Sequence, residues 1–382
     1  MATKPRSIFE EVGTTQKQVA AATGAIDKAG QGARRAIRGW LMVIFALVAL
    51  MIAVGGMTRL TDSGLAITEW RPVTGAIPPL NAADWDSEFQ KYRAIPEYIE
   101  QNAGMSLSEF KRIYWWEWGH RQLGRVIGLV WGLGFLYFLI RRQIPQGWTG
   151  RLLLLGGLGG LQGAIGWWMV ASGLREGMLD VASYRLATHL GLAFVILGVT
   201  AWFIFRLGRR SADLLQARRQ GDQALWTLSS VLMGAVFVQI LLGALVAGID
   251  AGRAFPDWPL MAGGFLPPDP FQLTPLWRNF FEDAGLVQFM HRMAGYAVGL
   301  FGLVVWWRAR ASANSHIRFA MNAMLAMLLV QIVLGIVTVI YMAPAHIAIV
   351  HQIGAVALWV LILRARFQTR YPIAQTIRGT RA

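Results

Sequence analysis

The sequence predicts an all-α integral membrane protein with eight transmembrane helices, arranged as two tandem four-helix bundles related by a pseudo-twofold axis. Three observations predict it. The chain is 55% hydrophobic and 15% charged, with 17 tryptophans among 382 residues, a composition foreign to water-soluble domains. Eight segments approach the roughly 20 apolar residues that cross a bilayer: 38–57, 119–140, 151–171, 187–207, 225–248, 287–307, 317–341 and 344–364. The last four segments also repeat the motifs of the first four in the same order.

The formal net charge of +15 does not indicate nucleic acid, because the basic residues flank the spans and alternate from loop to loop. Lys28, Arg34, Arg35 and Arg38 precede the first span, Arg141 and Arg142 follow the second, and RLGRRSADLLQARR follows the fourth. RARASANSHIR follows the sixth span, and Arg364, Arg366 and Arg370 follow the eighth. This positive-inside pattern predicts that both termini are cytoplasmic. Residues 1–37 read as a cytoplasmic tail without the apolar core and cleavage site of a signal peptide. Residues 208–224 read as a basic cytoplasmic linker between an N-terminal bundle, 38–207, and a C-terminal bundle, 225–364, and residues 365–382 as a second cytoplasmic tail. The loops 58–116 and 249–286 are richer in Asp and Glu and read as ordered outer loops. With no cysteine in the chain, disulfides, thiolate ligands and thiol catalysis are excluded, and any ligation falls to His, Met, Tyr or carboxylates.

The duplication is visible residue by residue. GGMTRLTDSG at 55–64 matches GALVAGIDAG at 243–252, so that Asp62 and Asp250, Gly64 and Gly252, and Trp70 and Trp258 share one offset. EWGHRQLGRVIGL at 117–129 matches QFMHRMAGYAVGL at 288–300, GGLQGAIGWWMV at 159–170 matches LLVQIVLGIVTV at 328–339, and THLGLAFVILG at 188–198 matches VHQIGAVALWV at 350–360. Two units that start on the same side of the membrane make a parallel repeat, with its axis along the membrane normal.

Four histidines follow the repeat. His120, His189, His291 and His351 lie one per even-numbered span near the outer end, with His120 mapped onto His291 and His189 onto His351. Imidazole pairs from facing helices are a common way to hold haem iron in a bundle, so the pattern implies two haem-sized sites, His120 with His189 and His291 with His351. Gly124 and Gly128 follow His120 by one and two turns, as Gly295 and Gly299 follow His291. Such a strip free of side chains suits a flat macrocycle, and it equally suits close helix packing. Arg121, Arg125, Arg185 and Arg292 lie beside the histidines, where haem propionates would pair with them; snorkelling to lipid phosphates or to outer-loop acids is the other reading. His316 reads as solvated in a cytoplasmic loop, and His346 as an outer-loop residue off the face of His351.

One position separates the halves. Three residues before His120 stands Glu117, and three before His291 stands Gln288, each on the face of its histidine. A carboxylate at a membrane edge is costly unless it is paired or useful. Glu117 therefore reads as the candidate catalytic group, able to relay protons, orient a substrate group or stabilise a developing cation; the alternative is an ion pair with Arg121 one turn on.

At these residues the chain resembles the haem A synthase family. The resemblance covers all eight spans and both large loops, and rests on EWGHRQLGR, THLGLAF, GALVAGIDAG with FPDWPLM, QFMHRMAG and VHQIGA. It implies a duplicated four-helix fold and oxidation of the C8 methyl of haem O to a formyl group through an alcohol, giving haem A for cytochrome c oxidase. It also implies that His120, His189, His291 and His351 are the family's histidines and Glu117 its functional glutamate, with haem b in the C-terminal half and substrate haem O in the N-terminal half. The chain is similar to the cysteine-free branch of proteobacteria and mitochondria, and its short tail points to a bacterial inner membrane. Expected partners are haem O, membrane lipids, an electron donor, haem O synthase or oxidase assembly factors, and a second copy of the chain. Two rivals remain at this point: a dihaem electron-transfer protein of the cytochrome b type with quinone as partner, and a haem or small-molecule transporter.

Overall fold

The computed structural model describes residues 25–375, with side chains from Gln31 onward. Its helices are α1 (Ala25–Leu60), α2 (Ala82–Arg93), α3 (Pro96–Glu100), α4 (Leu107–Ile140), α5 (Thr149–Gly173), α6 (Ser183–Leu207), α7 (Ser211–Arg219), α8 (Gln223–Gly248), α9 (Asn279–Glu282), α10 (Ala284–Arg310), α11 (Ser315–Ile340) and α12 (Ala345–Arg370). Eight of them, α1, α4, α5, α6, α8, α10, α11 and α12, are long and apolar enough to cross a membrane. The chain is a multi-pass membrane protein.

Several boundaries differ from those expected. The fourth helix begins at Leu107 rather than near 119, so Glu117 and His120 sit well inside a helix instead of at its start. Its true start carries a capping box, in which the Ser106 hydroxyl accepts from the Glu109 amide and Glu109 bonds back to the Ser106 amide, satisfying the otherwise orphaned donors of the first turn. At 1.5 Å per residue its 34 residues extend about 51 Å, well beyond a hydrocarbon core of about 30 Å. The first helix likewise begins before residue 38. The segment 58–116 is not all loop, since α2 and α3 lie within it, and the linker 208–224 contains α7. The tails read for 1–37 and 365–382 fall in large part outside the described residues.

Packing runs in two sets. Helix α1 contacts α4 and α6, and α5 contacts the same two; α8 contacts α10 and α12, and α11 contacts those two. Contacts of α6 with α8 and α12, and of α1 with α12, join the sets. The main core runs through both, from Ile44 and Val48 on α1 through Phe194 and Leu197 on α6 to Trp359 and Ile362 on α12. The indole of Trp359 donates to the Phe194 carbonyl at 3.0 Å. Leu129, Leu133, Leu136 and Ile140 on α4 face outward, as expected of helices that are apolar all round and solvated by lipid.

At the end of the spans that carries the histidines, α2 and α3 pack against the start of α4 through Trp85, Phe89, Tyr92, Phe110 and Tyr114. Asp62 and Asp250, paired by the repeat, both adopt a left-handed backbone, with φ of 48° and 51°, a conformation Asp tolerates better than most residues. Arg59 joins the two turns, reaching Asp62 at 2.7 Å, Asp250 at 2.8 Å and Asp180 at 3.5 Å. Glu97 on α3 is buried in the aromatic cluster, accepting from the Tyr92 hydroxyl at 3.2 Å and the Asn102 amide at 3.4 Å, while its Oε2 has no partner.

Burial pushes the Glu97 carboxyl up from 4.5 to about 8, and the negative charges of Asp180, Asp62 and Glu117 add to the shift. The folded chain therefore keeps a proton that the unfolded chain has lost between those two values. The sign follows: the contribution of Glu97 to stability falls as pH rises from 4.5 to about 8 and is constant on either side. Glu97→Gln is expected to match the parent protein near pH 4 and to exceed it by on the order of 1–3 kcal/mol at pH 8, measured by thermal unfolding in detergent at the two pH values.

Candidate active site

The four histidines come together as two pairs. His120 on α4 faces His189 on α6 with ring centroids 6.5 Å apart and planes at 79°, and His291 on α10 and His351 on α12 are their repeat equivalents in the second set of helices. All four rings are half-buried. Each rests on a glycine of a neighbouring helix. A Cβ built at Gly55 would lie 3.1 Å from His120, at Gly166 2.9 Å from His189, at Gly243 3.0 Å from His291 and at Gly335 3.3 Å from His351. These gaps are tighter than ordinary van der Waals contact, so a side chain larger than hydrogen at any of the four positions would push its imidazole.

Glutamines hold three of the four. The Gln162 amide donates to the His189 carbonyl at 3.0 Å, Gln239 to the His291 carbonyl at 2.9 Å and Gln331 to the His351 carbonyl at 3.0 Å. The Gln162 and Gln239 nitrogens also lie 3.2 and 3.1 Å from the Nδ1 atoms of those rings.

Beside each pair an arginine ties the helix to its loop. Arg121 donates to Glu117 Oε1 at 2.6 Å and to the carbonyls of Ile67 at 2.8 Å and Glu69 at 3.1 Å, while Glu117 Oε2 accepts from the Ile67 amide at 2.7 Å. The second half repeats the arrangement with a neutral partner. Arg292 donates to the carbonyls of Phe255 at 2.8 Å and Leu260 at 3.1 Å and to Gln288 Oε1 at 3.3 Å, and the Gln288 amide donates to Phe255. The ion pair named as the alternative reading of Glu117 is therefore present. It belongs to a clamp whose form does not require the charge, because Gln288 completes the same clamp without one.

The side chains fit a haem at each pair. Among the described residues no three His, Cys, Asp or Glu side chains converge as a protein-only metal site would need. Two imidazoles per site would leave the remaining coordination positions to a macrocycle, and each ring is seated against a glycine. The Nδ1 of His351 and the Oε1 atoms of Gln162, Gln239 and Gln331 are buried without partners, polar capacity that ligation of the imidazoles would engage.

Comparison with known proteins shows the family. The COX15-CtaA family model, described as cytochrome oxidase assembly protein, matches residues 38–363. Proteins named haem A synthase are similar along nearly the whole length: 65% identical in Roseobacter denitrificans and 66% in Dinoroseobacter shibae, each over 98% of this chain and 99% of the relative, and 58% in Paracoccus denitrificans over the same shares. This chain belongs to the haem A synthase family.

In this haem A synthase family member, the cations expected to meet propionates mostly have protein partners. Arg125 donates to the carbonyls of Pro72 at 2.9 Å and Arg71 at 3.0 Å. Arg185 donates to the Trp168 carbonyl at 2.6 Å and lies 4.4 Å from the Trp168 ring. Of the four arginines, Arg185 and Arg292 each keep a buried Nε without a partner. The glycine strips divide between the two uses expected of them. Gly128 faces open space, whereas a Cβ at Gly124 would meet Met51 at 3.5 Å, at Gly295 Gln239 at 3.2 Å and at Gly299 Ile332 at 3.0 Å. His316 and His346 are exposed in the first turns of α11 and α12, on helices rather than in loops.

The glycines that seat the imidazoles, Gly55, Gly166, Gly243 and Gly335, were not singled out by the sequence reading as site residues. Their signal was available, since the repeat aligns Gly55 with Gly243 and Gly166 with Gly335. Gly243→Val is expected to displace His291 and reduce bound haem per protein at least several-fold, by the alkaline pyridine absorbance of purified protein. Gly64→Ala, at a position with open space around its Cβ, should leave it unchanged.

Proposed function

We propose that this protein makes haem A, oxidising the C8 methyl of substrate haem O to a formyl group by way of an alcohol, for use in cytochrome c oxidase. The observation that carries the reading is the pair of bis-histidine sites seated on glycines, in a chain 58–66% identical to proteins named haem A synthase. The N-terminal unit, 38–207, takes haem O at His120 and His189. The C-terminal unit, 225–364, keeps haem b at His291 and His351. Haem b, when bound, supplies the electron transfer that the side chains cannot.

The protein's own residues orient and hold. Arg121 and the Ile67 amide fix both oxygens of Glu117, so the carboxylate is presented in one direction, as an acceptor for a proton released near the methyl. Arg121 also holds the Ile67–Glu69 segment against α4. Arg185, with Nε unpartnered, is the donor in the first half best suited to a propionate, and Arg292, the repeat equivalent of Arg121, is the one in the second whose Nε is likewise unpartnered. Gly128 leaves room on the His120 face. The basic residues at the opposite end of the spans support an inner-membrane protein with both termini in the cytoplasm.

Glu117→Gln tests the assignment with an internal control, because Gln288 shows that an amide completes the same clamp. In cells that also make haem O, the variant should keep its resident haem spectrum and lose haem A output by at least two orders of magnitude, measured by chromatography of extracted haems. Normal haem A output removes the role of Glu117. Output of no formylated haem by the unaltered protein would favour a dihaem electron carrier instead.

A further inference from the structure

At the end of the spans remote from the histidines, α10 and α11 flank a cavity of about 400 Å³ lined by Trp306, Arg310, Arg318, Met321 and Asn322. A second cavity of about 490 Å³ adjoins it at Arg310 and is lined by Trp307, Arg308 and Ala311. Along α10 the rise from His291 to Arg310 is about 28 Å, close to the thickness of a hydrocarbon core, about 30 Å. With the histidines near one edge of that core, the cavities lie near the other.

The walls are held in place. Trp306 donates to Asn322 Oδ1 at 2.7 Å and so ties α10 to α11. The Arg310 guanidinium lies 5.2 Å from the centre of the Trp306 ring, within reach of a cation–π contact. Arg318, in the first turn of α11, donates through one nitrogen to the carbonyls of Ser312 at 2.6 Å and Ala313 at 3.1 Å. These contacts orient the cations without neutralising them. Among the described residues no carboxylate pairs with Arg308, Arg310 or Arg318, and the sequence has no Asp or Glu after Asp283.

The first half builds the same hairpin without this chemistry. Through the repeat, Trp306, Arg308 and Arg310 correspond to Phe135, Tyr137 and Leu139, and Arg318 and Asn322 to Thr149 and Leu153. Orientation in the membrane does not require the cations where they stand, because the first half keeps its own, Arg141 and Arg142, past the end of α4. Arg308 and Arg310 instead stand within the last turn of α10, beside indoles. Guanidinium forks suit phosphate oxygens, and basic pockets between spans at a membrane face are places where phosphate headgroups bind.

We propose that these cavities bind an anionic phospholipid of the leaflet at this end, with its phosphate between Arg310 and Arg318. Trp307 and Phe319, next to the two sides of the site, are 70% and 64% exposed, so the cations are bordered by apolar surface. A lipid satisfies both features at once, whereas a free phosphate engages the cations alone.

Full-length protein in mild detergent, titrated with phosphatidylglycerol, phosphatidylcholine or inorganic phosphate and read by native mass spectrometry, tests the assignment. One phosphatidylglycerol per chain is expected to bind ahead of phosphatidylcholine. Arg310→Leu and Arg318→Thr, which install the residue types of the first half, should each weaken it about fivefold and together about 30-fold, the factor a basic side chain contributes toward anionic lipid. Arg218→Gln with Arg219→Gln removes the same charge from exposed positions on α7 at the same end and should leave binding unchanged. The single variants, each at an exposed side chain, carry the test where the double variant fails to fold. Equal binding of the two lipids, or equal weakening by the α7 pair, reduces the site to diffuse attraction and overturns the proposal. Displacement of the lipid by equimolar inorganic phosphate overturns it as well, in favour of a free-anion site.

Discussion

A charged or hydrogen-bonding side chain inside an apolar span has to find its partner within the protein, because lipid offers none. The histidine end of this chain is organised by that constraint. Arg121 and Arg292 reach from their helices to the carbonyls of the preceding loop segments. Those segments are thereby tied to the helices that carry His120 and His291, and the arginines are satisfied without lipid. Glu117 is tolerated for the same reason, with one oxygen on Arg121 and the other on a backbone amide. Arg59 extends the principle across the molecule by joining Asp62 and Asp250, one from each half of the repeat.

The spans were legible because lipid solvation demands long apolar runs, and the histidine pairs because a duplicated sequence shows its own register. Helix α4 was misjudged at its start because SEFKRIYWWEW interrupts the apolar run with charges. The Ser106 and Glu109 capping pattern three turns earlier was the better boundary signal. The clamps were hidden for another reason: their acceptors are backbone carbonyls of Ile67, Phe255 and Leu260, which have no identity in a sequence. The arginines beside the histidines were therefore read against propionates, lipid phosphates or outer-loop acids, and the backbone carbonyls they also bind were not among those partners. The glycines under the imidazoles lie on neighbouring helices, so only the three-dimensional neighbour gives them meaning.

Duplication makes the differences between the halves informative. Where the same clamp is built with Glu117 on one side and Gln288 on the other, the charge is separable from the architecture. The glycine seats, the arginine clamps and the left-handed aspartate turns are kept in both halves. The scaffold is held constant, and the halves diverge in charge beside a single histidine.

The length of α4 has a further consequence. If its Ile140 end is level with one edge of the hydrocarbon, about 20 Å of the helix stands clear of the other edge, which brings Glu117 and His120 to the boundary between acyl chains and headgroups. A site at that depth borders headgroups on one side and acyl chains on the other, so its polar groups have water within reach while the rest of the helix does not.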